Sequence, residues 1–321
     1  IGYLCGVENK GLAHMFQMMN GARINTAVSG MTLAGTAYRN ALTYTAQRVQ
    51  GRDIAGRTAG DVTIIHHPDV RRMLLWMKAA VDGMRSMIYT AAFWEDMARA
   101  SAPGPEKETY QNLVDFMTPV LKAYCSDTGF RVCEAAMQCM GGYGYCRDYP
   151  VERYLRDAKI MSLYEGTNGI QSMDLMGRKM TINSGACFKA YQNEIVRFCE
   201  AHRRHPVVGR FVAQLAQTAE MLWAGAAEMT ARAKSDPLQW ASYSYPALLA
   251  FGEVTMAWRL LDMAVIASES AGKAGTADAF YRGKLYQATW FVDTTLSHTQ
   301  VRIQTCLRSG REIVDIPDNA F

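Results

Sequence analysis

Gly and Pro breaks divide this chain into long runs of helical apolar spacing, and beyond about residue 10 no stretch sustains the alternation of a strand. The expected fold class is therefore all-α. The spacing predicts helices over 11–50, 68–98 and 105–140, then two short ones over 150–163 and 168–180. Runs of that length suit antiparallel bundles, in which each helix buries a face against its neighbours. Thr181-Ile182-Asn183-Ser184-Gly185 then interrupts the pattern with turn formers, and a domain boundary is expected there. A second helical bundle follows. Val212, Leu215, Ala219, Leu222, Ala226 and Met229 form the apolar stripe of its clearest helix, and two more helices are expected over 246–271 and 276–308, separated by Gly272-Lys273-Ala274-Gly275. At the other end, Ile1-Gly2-Tyr3-Leu4-Cys5-Gly6-Val7 reads as a strand running into a loop, and with no Met at position 1 the chain reads as truncated.

Composition excludes several classes. The 34 Lys and Arg lie scattered among 30 acids for a net charge of +4, which leaves no electrostatic footprint of the nucleic-acid kind. Eight cysteines include no C-x-x-C pair, so reduced thiols are expected rather than disulfides or a zinc site. There is no apolar run long enough to span a bilayer and no leader-like start. The expectation is a cytoplasmic protein with no membrane span, no metal and no nucleic-acid partner. His202 and His205 lie three apart without an identifiable carboxylate or thiolate partner, and the Met15, Met18, Met19 and Met73, Met77, Met84 sets fall at the spacing of core-filling residues.

The chemistry concentrates in one stretch: Gln138-Cys139-Met140-Gly141-Gly142-Tyr143-Gly144-Tyr145, then Tyr149-Pro150-Val151-Glu152-Arg153, Arg156-Asp157-Ala158-Lys159 and Tyr164-Glu165-Gly166-Thr167-Asn168-Gly169-Ile170-Gln171. Read locally, it is a helix stop, a turn and two short helices. Pro150 suits a first helical position, and Asn168 with Gln171 has the spacing of a capping box. Glu165 then sits on a tight bend beside the free N–H groups of a helix start, where a carboxylate can be aimed into a pocket.

These linked motifs resemble the C-terminal signature of the acyl-CoA dehydrogenase family, and Glu8 to Leu12 with Met18 to Arg23 resemble the start of that family's C-terminal domain. The similarity covers about residues 1–180. The part after residue 185 is similar in layout to the extra helical domain of the subgroup that includes 3-(methylthio)propanoyl-CoA dehydrogenases. The resemblance implies three units: 1–13 as the remnant of a β-domain and linker, 14–181 as the family's C-terminal helical domain, and 186–321 as an additional helical domain.

It also implies FAD as cofactor, an acyl-CoA substrate, an electron-transfer flavoprotein as acceptor, and a homodimer or homotetramer. Glu165 corresponds to the base that takes the α-proton. Asn20, Arg23 and Tyr164 are implied near the substrate, and Thr167 at the flavin, with a plain helix cap as its rival role. Arg48 and Gln50 correspond to the segment that meets the FAD pyrophosphate, and Gln138, Gly141 and Gly142 to the part that meets the adenosine diphosphate of a partner's cofactor. Gly51 replaces an aromatic residue of the family pattern, Gly169 and Ser172 replace commoner polar or basic ones, and Ala22 stands where some relatives carry another Glu. Without the missing part, the fragment is expected to be inactive. The alternative is a flavin-binding scaffold for DNA protection or protein interaction; it requires a basic face on 186–321, for which Arg203, Arg204 and Arg210 offer little.

Overall fold

The structure, a computed structural model, describes residues 1–273 and 275–321, with the side chains of all of these but Gln17 and Thr276. Helix α1 (Gly11–Gln47) is followed by a ribbon of two antiparallel strands, β1 (Val49–Arg52) and β2 (Asp61–Thr63). Two long helices, α2 (Pro68–Ala100) and α3 (Pro105–Met140), each carry Pro in the first turn, where a missing N–H breaks no helical bond. Short helices α4 (Gly142–Tyr145), α5 (Val151–Lys159) and α6 (Asn168–Met173) come next, and a π-helical turn (Asp174–Lys179) extends the last. The chain continues through α7 (Ile182–His202), α8 (Gly209–Arg232), α9 (Pro237–Ser270), α10 (Asp278–Arg308) and α11 (Glu312–Asp315). The fold is all-α apart from that small ribbon. No helix among the described residues is long and apolar enough to cross a membrane.

Several element ends differ from the sequence expectation. α1 stops before residue 50 because Arg48 is extended and 49–52 pairs with 61–63. α9 begins nine residues before Pro246: Asp236 caps it by accepting from the Gln239 N–H at 3.2 Å, and Pro246 lies inside it. Of the expected break at 272–275, Ala274 lies outside the described residues. The turn formers at 181–185 do divert the chain, since Asn183, Ser184 and Gly185 all take left-handed backbone at the start of α7.

α3 is the central helix, with Leu113, Phe116, Val120, Leu121, Cys125 and Val132 all buried. α1 crosses it with backbone almost touching backbone. A Cβ added at Gly30 would stand 2.8 Å from the Cys125 carbonyl oxygen, and one added at Gly129 would stand 2.6 Å from that of Gly30. On the other side, Phe116 of α3 stacks on Tyr191 of α7 with ring centroids 4.6 Å apart and meets Phe251 of α9 edge-on at 5.5 Å. One hydrophobic core thus runs from α1 to α10.

Candidate active site

The bend between α5 and α6 is built from strained backbone. Glu165 takes φ 58° and Gly166 φ 81°; for Glu, the left-handed conformation costs about 1–3 kcal/mol unless the surroundings impose it. They do so by gripping the backbone. Arg23 Nε donates to the Glu165 carbonyl at 3.4 Å, and Gln171 Nε2 donates to the same oxygen at 3.3 Å and to the Gly166 carbonyl at 3.4 Å. Thr167, rather than Asn168, is the helix cap, its Oγ1 accepting from the Ile170 N–H at 3.3 Å. The expected capping box therefore gives way to a one-sided cap one residue earlier, because the residue three beyond Thr167 is Ile170, and Gln171 serves the bend instead. With its backbone bound, the Glu165 side chain remains half-buried, and its Oε2 is buried with no hydrogen-bond partner.

Beneath the bend lies a buried cation. Lys122, on α3, is fully buried and donates from Nζ to Asn168 Oδ1 at 2.9 Å, while the Asn168 amide donates to the Ala123 carbonyl at 3.3 Å and to Ser126 Oγ at 3.0 Å. Burial pushes the ammonium pKa down from its ordinary 10.5 to about 8; the charges of Asp127 and Glu165 oppose that shift, and Arg23 adds to it. Because the folded value lies below the unfolded one, between these two values the unfolded chain holds the extra proton. Stability from this group thus rises with pH from about 8 to 10.5. Lys122→Met is expected to remove that rise, read as a wild-type minus variant difference in unfolding free energy that changes with pH across this window. A difference flat with pH would show that Lys122 titrates normally.

Arg23 is buried and also pairs with Asp174 at 3.7 Å, so the structure brings it to Glu165 as a clamp. Asn20, one helical turn before Arg23, is half-buried, and Tyr164 is 42% exposed beside Glu165. Among the described residues, no hydrogen bond ties either side chain to the bend.

The remaining expected residues meet elsewhere. Arg48, Gln50, Gln138, Gly141 and Gly142 together line an open groove of about 710 Å³, with His67 and Tyr143. The Arg48 guanidinium sits 5.6 Å from the centroid of the Tyr143 ring, and His67 Nε2 lies 2.7 Å from the Gln50 carbonyl oxygen. Apart from the adjoining backbone, no atom of the described residues stands within 4 Å of where a Cβ would be at Gly141 or Gly142, so their backbone is open to approach. Among the described residues no carboxylate lines this groove, and its donors suit a phosphate-bearing ligand. Gln138 lies sixteen residues beyond Lys122 on α3, about 24 Å along the helix axis. The groove and the Glu165 bend are separate places on one chain.

Lys122, Asp174, His67 and Tyr143 were given no role at the site from sequence, and Gln171 only that of a capping partner. The one available signal was a lysine inside the otherwise uncharged run Val120-Leu121-Lys122-Ala123-Tyr124-Cys125.

The family model described as "Acyl-CoA dehydrogenase, C-terminal domain" matches residues 9–180, and "Acetyl-CoA dehydrogenase C-terminal like" matches residues 191–317. The chain is 34% identical to the 3-methylmercaptopropionyl-CoA dehydrogenase of Ruegeria pomeroyi, over 92% of the chain and 50% of that protein. It spans about half the length of the curated relatives it matches. In fold it is similar to Caenorhabditis elegans ACDH-11, solved in complex with C11-CoA, with a TM-score of 0.71 at 19% identity over 96% of this chain and 49% of that one. An acyl-CoA dehydrogenase from Bacillus anthracis complexed with FAD gives a TM-score of 0.66 at 16% identity, over 97% and 51% of the two chains.

Proposed function

We propose, from the premise that this chain belongs to the acyl-CoA dehydrogenase family, that it carries the proton-abstracting site of an FAD-dependent α,β-dehydrogenation of acyl-CoA thioesters to trans-2-enoyl-CoAs. The observation that carries the proposal is the buried, unpartnered Oε2 of Glu165 on a bend whose backbone is clamped by Arg23 and Gln171. A carboxylate oxygen shut away from water without a donor is poised to accept a proton from a bound ligand.

In this reading Glu165 takes the α-proton, and the two C–H bonds that break leave a C=C bond in the product. FAD, when bound, supplies the acceptor for the β-hydride. Arg23 fixes the Glu165 backbone and Lys122 places a positive charge below it. Asn20 and Tyr164 border the substrate, and Thr167 faces the flavin while it caps α6. The open groove at Arg48, Gln50, Gln138, Gly141 and Gly142 takes the pyrophosphate and adenosine part of a cofactor. Its distance from the Glu165 bend along α3 exceeds the reach from a flavin ring to its own pyrophosphate, so each groove serves the active site of a second copy. The active protein is accordingly at least a homodimer, with units at 14–181 and 186–321 and an electron-transfer flavoprotein as acceptor.

The test is anaerobic titration of the flavin-loaded full-length protein, since this chain by itself is expected to be inactive, with butyryl-, octanoyl- and palmitoyl-CoA. Bleaching of the flavin absorbance by at least one, with formation of its 2-enoyl product, is the expected result. A protein that holds FAD tightly and is bleached by none of them would sink the proposal.

A further inference from the structure

Two polar links, one buried and one half-buried, join α9 to the segments that carry Glu165. On α6, Ser172 Oγ lies 2.9 Å from Ser244 Oγ of α9, and both residues are buried. Each hydroxyl also lies near a carbonyl of its own helix, Ser172 at 2.7 Å from Gly169 O and Ser244 at 2.8 Å from Ala241 O. With one proton apiece, one serine donates across to the other and the second donates to its own helix. On α3, Asp127 accepts from the hydroxyl of Tyr245, the next residue of α9. Asp127 supplies the largest charge favouring protonated Lys122, and Lys122 holds Asn168, the first residue of α6. The neighbouring Trp240 of α9 lies against Gly177 in the π-helical turn, where an added Cβ would stand 3.2 Å from its ring.

The two ends of the short segment 168–172 therefore both reach α9: Ser172 bonds Ser244 directly, and Asn168 donates to Ser126, the residue before the Asp127 that Tyr245 bonds. Apolar contact alone would fill the same space without the desolvation of hydroxyls and charges. Buried polar pairs of this kind fix one register of one element on another, which apolar packing does less sharply. The charged groups around Lys122 are Asp127 on its own helix, Arg23 on α1 and Glu165 on the bend.

We propose that the second helical region positions the catalytic bend, with Ser244 and Tyr245 of α9 as positioning residues for Glu165. This rests on Glu165 being the base. Neither residue touches substrate; they act by limiting where α6, and with it the bend, can settle, and displacement of a base by about 1 Å can cost about 100-fold in rate.

The experiment compares Ser244→Ala, Tyr245→Phe and the double variant with the parent, each as the flavin-loaded full-length protein, in amide hydrogen exchange over residues 164–171 and in kcat and KM for the best acyl-CoA of the panel. Exchange in that segment is expected to quicken about tenfold in the double variant. Its kcat should fall about tenfold or more, with KM within about twofold and flavin per chain unchanged. Parent-like exchange and kcat overturn the inference, as does quickened exchange spread evenly over α9 and α10. If the double variant does not fold, Tyr245→Phe, which deletes one oxygen, carries both readouts under the same criteria. An inactive Glu165→Gln beside parent-like α9 variants sinks only the role of α9. A fully active Glu165→Gln with a loosened bend leaves α9 holding the bend and removes Glu165 as base.

Discussion

Glu165→Gln is expected to lower kcat about 10⁴-fold while leaving KM within a few-fold and flavin content unchanged. The substitution preserves size and shape, and the groups that hold the bend grip backbone oxygens rather than the side chain: Arg23 and Gln171 both donate to the Glu165 carbonyl. The left-handed backbone at residue 165 should thus survive, and only the capacity to accept a proton is lost. Glu165→Asp separates position from chemistry. It keeps the carboxylate but withdraws it by one methylene, about 1 Å, so an intermediate loss near 100-fold is expected. Stopped-flow flavin reduction measures both. Reduction by the Gln variant within tenfold of the parent would show that another group takes the proton.

Arg48→Glu should empty the cofactor groove without harming the chemistry of any flavin that remains. Arg48 is the sole Arg or Lys among the residues that line it. Exchanging a charge-assisted hydrogen bond for a repulsive carboxylate removes about 3 kcal/mol, or a weakening of FAD binding of about 100-fold. Flavin per chain after gel filtration reads the loss, and titration with FAD reads the constant. Because the groove lies about 24 Å along α3 from the Glu165 bend, excess FAD should restore kcat in this variant. It should not in Glu165→Gln. Full retention of flavin by Arg48→Glu through gel filtration would place the pyrophosphate elsewhere.

What could be read from sequence was what local chemistry determines. Pro105 and Gly141 bracket α3 because a ring without N–H and a residue tolerant of positive φ act within one turn of where they stand. Pro246 misled for the same reason: inside α9 its missing N–H is tolerated, and the true start is the Asp236 cap. The ribbon at 49–52 and 61–63 is too short to show alternation. Linked motifs, in one stretch or at a helix end, pointed to Glu165, which stands on a strained bend, and to five residues that line one groove. Lys122 was not legible. Its partner Asn168 lies 46 residues away, and nothing local distinguishes a buried lysine from a solvated one until the fold closes over it.

At the α1–α3 crossing, Gly30 stands two turns beyond Arg23 and Gly129 two turns beyond Lys122, so the spacing of the two helices there also sets the spacing of the two cations that flank the bend. A side chain added at either glycine is expected to move both cations relative to Glu165 as well as to loosen the core, so lost activity there has to be read beside the melting temperature of the same variant.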